Sequence, residues 1–191
     1  SNFFEKSDLS RKDAENIVSE TLVNCDDGEL YLEDSKSESI VLDDNKIKSS
    51  NYSADLGFGL RGITNEVIAY SHSNEISKDS LKKSAESLKS TFKSTKGVYN
   101  HAIPKSNEKY YQDINPIDQK TLDSKIELLN KVNEYLRSKD SFVKQVTASF
   151  SGEQKSIEII RSGGEAIIDI RPLIRFNVSV MVEKNGRKET G

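Results

Sequence analysis

Leu56-Gly57-Phe58-Gly59-Leu60-Arg61-Gly62-Ile63-Thr64-Asn65-Glu66-Val67-Ile68-Ala69-Tyr70-Ser71-His72 admits two incompatible folds. Gly57, Gly59 and Gly62 match G-x-G-x-x-G, which marks a dinucleotide site only where the glycines join a buried parallel strand to a helix. Here Leu56, Phe58 and Leu60 alternate with the glycines, and a turn at Thr64-Asn65-Glu66 leads into a second extended run, Val67–His72. That is the period of two of paired strands, with no helix whose N-terminus could take a pyrophosphate. Gly57 and Gly59 then share one face, leaving room for a neighbouring backbone or helix to come close. The run therefore argues against a nucleotide-binding α/β fold.

Upstream the same alternation recurs. Leu30 and Leu32 alternate with Glu29, Tyr31 and Glu33, and Ile40 and Leu42 continue the style. Asp43-Asp44-Asn45 is a turn by composition, and the next strand carries Ile47. Ahead of these strands a helix is predicted over Arg11–Val23, capped by Ser10 with Asp13 meeting the exposed amides; Ala14, Ile17, Val18 and Leu22 form its stripe. Downstream, Ile76 precedes the cap Ser77 and can meet Leu81, a hydrophobic staple opening a helix with Ala85, Leu88 and Phe92 on its buried face.

The pattern then repeats. Ile117, a cap at Asp118 and Leu122 predict a third helix with Ile126, Leu129, Val132 and Leu136 as its stripe. Strands follow at Val143–Phe150, Ser156–Arg161, Ala166–Ile170 and Leu173–Lys184, with turns at Ser151-Gly152 and Ser162-Gly163-Gly164. The expectation is an α+β fold of duplicated helix-plus-antiparallel-strand units, forming mixed or antiparallel sheets with helices packed on one face. The first repeat covers 1–93, a connecting segment 94–120 with Pro104 and Pro116, and the second repeat 121–191. Asn185-Gly186 is a strong type I′ hairpin signal, yet five residues follow it, where the first repeat has a full strand and a helix. A long apolar strand without its return partner would be an exposed edge, so the chain reads as cut short.

Composition narrows the partners. Lys+Arg 28 against Asp+Glu 31 gives a net charge of −3, and the short basic bunches at Lys82-Lys83 and Arg187-Lys188 cannot track a phosphate backbone; direct nucleic-acid binding is not expected. No apolar run approaches the ~18 residues of a spanning helix, and no signal peptide opens the chain. Cys25 is the only cysteine, which excludes an internal disulfide, fits a reducing cytosol and suggests a small buried hydrophobe. His72 and His101 stand far apart, without H-E-x-x-H or paired cysteines, and Asp26-Asp27-Gly28-Glu29 is too short for a calcium loop; no metal ligand is expected. No Ser/His/Asp or Cys/His arrangement can be drawn, so no catalytic residue is expected either. Arg61, Arg171 and Arg175 are the candidate site residues: each interrupts an apolar strand pattern, where the ordinary expectation is an internal salt bridge or a charge on a solvated sheet face, and the functional alternative is a guanidinium that anchors a peptide carboxylate or carbonyls in a cleft.

Taken together, Ile47–Ile63 followed by Ala69-Tyr70-Ser71, then Asp113-Ile114-Asn115-Pro116, Val146–Gly152 and Asp169–Val180 resemble the TldD branch of the TldD/PmbA family, also called modulators of DNA gyrase. The resemblance runs in order through essentially the whole chain. It implies a bacterial cytoplasmic zinc metallopeptidase acting on peptides or unfolded segments, working as a pair of related subunits. Its metal site, an H-E-x-x-x-H helix with a further cysteine, would lie in a C-terminal half, and none of those residues occurs here. The resemblance thus implies a non-catalytic N-terminal region that shapes the substrate cavity and subunit contacts, with zinc expected in the full-length protein. The competing expectation is a stand-alone module that takes up an extended peptide by strand addition at a sheet edge.

Overall fold

The two periodicities are realised as three helices and six strands in the computed structural model, which describes residues 3–5, 7–92, 97–98, 110–164 and 166–191. In chain order these are α1 (Arg11–Leu22), β1 (Asp27–Asp43), β2 (Lys46–Thr64), β3 (Val67–Ser73), α2 (Lys78–Thr91), α3 (Leu122–Lys139), β4 (Val143–Arg161), β5 (Ala166–Lys184) and β6 (Arg187–Thr190). The strands make an antiparallel sheet in the order β3-β2-β1-β4-β5-β6, and the fold is α+β. The chain divides into two compact units, the first formed by 1–35, 55–112 and 155–170, the second by 36–54, 113–154 and 171–191.

In the first unit, the Asp13 N–H donates to Ser10 Oγ at 3.1 Å and closes the first turn of α1. The Ser80 N–H does the same to Ser77 Oγ at 3.2 Å for α2, with Ile76 and Leu81 both buried as a staple requires. Ala14, Val18 and Leu22 of α1 and Leu81, Ala85 and Leu88 of α2 share one core with the inward residues Leu30, Leu32, Phe58, Leu60, Ala69 and Ile160. Each fully buried leucine contributes roughly 1.5–3 kcal/mol relative to exposure. Strands β2 and β3 pair from Thr64↔Val67 to Phe58↔Ser73 across a turn in which Asn65 takes φ 54. A side chain at Gly59 would lie 2.6 Å from the Tyr70 hydroxyl and 2.8 Å from its ring, and one at Gly57 would lie 2.7 Å from the Ser73 carbonyl. The glycines thus make room for an aromatic ring and a strand end.

In the second unit, Leu129 with Ile126 and Val132 of α3 pack on Ile40, Leu42 and Ala148, joined by Phe150. The cap of α3 is Thr121, whose Oγ accepts from the Ser124 N–H at 3.2 Å. This corrects the expected cap at Asp118, which instead accepts from Asn115 Nδ2 at 2.6 Å. Three other boundaries are corrected. The strand carrying Ile47 and that over Leu56–Ile63 are one strand, β2. Ser151-Gly152 is not a turn but the middle of β4, where a side chain on Gly152 would meet Ile117 at 3.1 Å and Ile174 at 3.2 Å. The two runs flanking Arg171-Pro172 are likewise one strand, β5, and β6 reaches only its last four residues, Met181–Lys184. Tight turns of the expected kind close the hairpins, with positive φ at Asp44 and Asn45 and at Asn185 and Gly186. Residues 94–96 and 99–109 of the expected connection, with His101 and Pro104, lie outside the described residues.

Candidate functional site: a hydroxyl-lined groove

The three arginines of the strand pattern have different surroundings. Arg61 is held by a carboxylate: Nε and Nη2 donate to Glu29 at 2.8 and 2.9 Å, with Asp27 at 3.8 Å. The Glu29 carboxylate pushes the Arg61 pKa further up. Asp27 also pairs with Arg161, so two guanidinium and two carboxylate groups tie β1, β2 and β4 together in the first unit. Arg171 is engaged within the fold. Among the described residues, Arg175 has no hydrogen-bond or ion-pair partner, and it lines a groove of about 370 Å³ in the second unit.

Strand alternation explains the lining. Because Ile174 meets Gly152 on the α3 side, Leu173 and Arg175 turn to the opposite face, as do Ser151 and Glu153. On β1, Ser37 and Ser39 alternate with Glu38, whose carboxylate is drawn to Lys125. Asn51 and Ser53 of β2 continue the floor, with Asn51 Nδ2 at 3.5 Å from Ser39 Oγ. Tyr52 and Leu173 leave 59% and 55% of their surface exposed beside it. Glu38 is paired and Glu153 is engaged within the fold, so Arg175 is the uncompensated charge of the groove. Such an arrangement can hold an anionic or carbonyl oxygen against hydroxyl donors.

The groove as a unit was not predicted. Its signal, serine or asparagine at alternate positions of 37/39, 51/53 and 151, becomes a surface only through strand pairing. Two other chemistry-bearing groups do not join it. Cys25 is buried, and burial pushes its thiol pKa up, away from a reactive thiolate. His72 stacks on Tyr70 with ring centroids 5.8 Å apart. Among the described residues, no three His, Cys, Asp or Glu side chains converge to hold a metal, so nothing here fits the zinc that the resemblance implies. No described helix is long and apolar enough to cross a membrane.

Comparison with known proteins gives a consistent picture. Residues 28–91 match the family described as PmbA/TldA metallopeptidase domain 1, and residues 115–191 match the PmbA/TldA metallopeptidase central domain. The chain is 36% identical over 169 residues to the metalloprotease TldD homolog of Buchnera aphidicola subsp. Schizaphis graminum, covering 88% of this chain and 35% of that protein. It is 34% identical over 174 residues to the metalloprotease TldD homolog of Haemophilus influenzae, covering 88% and 36%. The chain therefore spans about a third of the length of the curated relatives it matches. Among solved structures, a modulator of a DNA gyrase from Thermotoga maritima superimposes with a TM-score of 0.72 at 11% identity over 86% of this chain and 38% of that one. TldE from Thermococcus kodakarensis superimposes with a TM-score of 0.67 at 14% identity over 92% and 40%. These two likenesses concern the fold alone.

Proposed function

This chain belongs to the PmbA/TldA metallopeptidase family, and we propose that it forms the non-catalytic N-terminal region of a TldD-like metallopeptidase acting on peptides or unfolded protein segments. The observation that carries this reading is the ordered match to domain 1 and then the central domain, in a chain about a third as long as relatives named metalloproteases. Zinc is the metal expected of the full-length protein on this reading, held by residues other than those described here. The chain's own residues then shape the substrate cavity and contribute contacts to a related subunit, in a cytoplasmic bacterial enzyme without direct nucleic-acid contact. In the same reading, the order α1-β1-β2-β3 and its echo α3-β4-β5-β6 descend from an internal duplication spanning 1–93 and 121–191.

The test sets this chain beside the product of its complete reading frame, measuring zinc content and hydrolysis of an unfolded protein by both. Zinc and hydrolysis confined to the longer product support the proposal. Stoichiometric zinc in the 191-residue chain alone, or no hydrolysis by the longer product with zinc bound, overturns it. The alternative reading is a stand-alone peptide-binding module that uses strand addition at a sheet edge. Such a module would take up extended peptides without cleaving them.

A further inference from the structure

We propose that the groove of the second unit recognises a peptide carboxylate, with Arg175 taking the carboxylate while Leu173 and Tyr52 hold the apolar side chain next to it. This rests on the reading of the chain as part of a peptide-processing protein and adds the ligand class and the residue that selects it. Three features carry it. A guanidinium presents a planar fork of N–H donors that matches the two oxygens of a carboxylate, and Arg175 is left without a partner among the described residues while both carboxylates of the lining are occupied. The floor offers neutral hydroxyls from Ser37, Ser39 and Ser151, which can donate to a second oxygen or accept from a peptide N–H. Leu173 and Tyr52 supply exposed apolar surface at the same groove.

A carboxylate fits better than a phosphate. Phosphate carries nearly two charges and draws on several cations, whereas this groove has one cation and two nearby carboxylates that oppose a dianion. At about 370 Å³ the groove lies at the small end of ligand sites and suits one or two residues of an otherwise extended peptide. The carboxylate can come from a peptide C-terminus or from an internal glutamate or aspartate.

Isothermal titration calorimetry at low ionic strength separates the two sources, using the complete reading-frame product and unlabelled pentapeptides. One pair ends in leucine as free acid or amide; the other is amidated and carries Glu-Leu or Gln-Leu internally. The expected result is a preference of about tenfold or more for the carboxylate member of at least one pair, the pair naming the source. Arg175→Gln abolishes that preference and Arg175→Lys keeps part of it. Arg187→Gln, at an exposed arginine paired with Glu189 outside the groove, leaves it intact. No carboxylate preference in the unaltered protein, or a preference that survives Arg175→Gln in a protein whose circular dichroism melt is unchanged, overturns the proposal. Because binding is read apart from cleavage, an Arg175-dependent preference without peptidase activity would sink the metallopeptidase reading alone. Cleavage without such a preference would sink the groove alone.

Discussion

Gly28→Ala tests whether close strand approach, and not backbone freedom, fixes that residue. The added Cβ would lie 2.4 Å from the Arg61 carbonyl oxygen, 2.8 Å from Leu22 Cδ2 and 3.1 Å from the Gly62 Cα. Two of those three atoms belong to the backbone of β2, which cannot rotate away as a side chain can. Replacing glycine by alanine where the space allows stabilises by ~0.4–1 kcal/mol through the unfolded chain. Overpacking a filled site costs ~1–3 kcal/mol, and a backbone obstacle puts Gly28 at the upper end. The net expectation is a loss of about 2 kcal/mol. Gly62→Ala is the internal comparison: its nearest atoms are Phe92 Cε2 at 2.9 Å, Cys25 Sγ at 3.3 Å and Leu22 Cδ2 at 3.3 Å, all in side chains that can yield. Its loss should be the smaller, about 1 kcal/mol or less. Urea unfolding followed by circular dichroism, with the slope held common to the variants, reads both values. A Gly28→Ala protein as stable as the unaltered one, or less damaged than Gly62→Ala, would refute the reasoning.

Two further outcomes follow from buried or hydrogen-bonded charge. Lys125→Met removes the cation from a pair in which Lys125 is 6% and Glu38 11% exposed, and strips the Ile117 carbonyl of its donor; a loss of about 3–5 kcal/mol is expected. Adding Glu38→Gln should recover part of that loss, and a double-mutant cycle in urea that shows plain additivity would count against the pair. Asp26 accepts from the Asn65 N–H at 2.6 Å and the Val98 N–H at 2.9 Å, and these bonds hold its carboxyl below the usual range. Its contribution is therefore present above the unfolded pKa of ~3.9 and lost as pH falls through the lower folded value. Asp26→Asn should flatten the acid limb of the stability-versus-pH curve below about pH 4, and an unchanged slope would contradict it.

The helices were legible because their signals are local. Ser10 and Ser77 cap as their sequence positions suggest, and the Ile76–Leu81 staple needs only six residues to be seen. Thr121 was missed because Asp118 has the stronger intrinsic capping preference, and Asn115 diverts that carboxylate into the preceding loop. Strand ends failed for a longer-range reason. Ser49–Ala54 and Ser151-Gly152 have turn composition, yet ladders from neighbouring strands keep them extended, and Gly152 is small because Ile117 and Ile174 crowd it. The fold class needed only periodicity. The groove needed register, since Ser37, Asn51, Ser151 and Arg175 come from four strands whose pairing no single segment encodes.

The interleaving of the two units has a consequence for synthesis on the ribosome. Residues 1–35 and 55–92 emerge early with both helices of the first unit, but Ile160 of its core arrives only with the segment 155–170. The second unit likewise starts with 36–54 and waits for 171–191. Neither can close co-translationally from a contiguous piece; Leu30 and Leu32 lie in one core with α1 and α2, which emerge by residue 92, but Ile40 and Leu42 stay uncovered until Leu129 and Ala148 have been made. Such chains fold late and by non-local pairing, which slows closure and lengthens exposure of apolar strands to other nascent chains. Expression of this protein should accordingly respond to temperature and holdase chaperones more than its buried core alone would suggest.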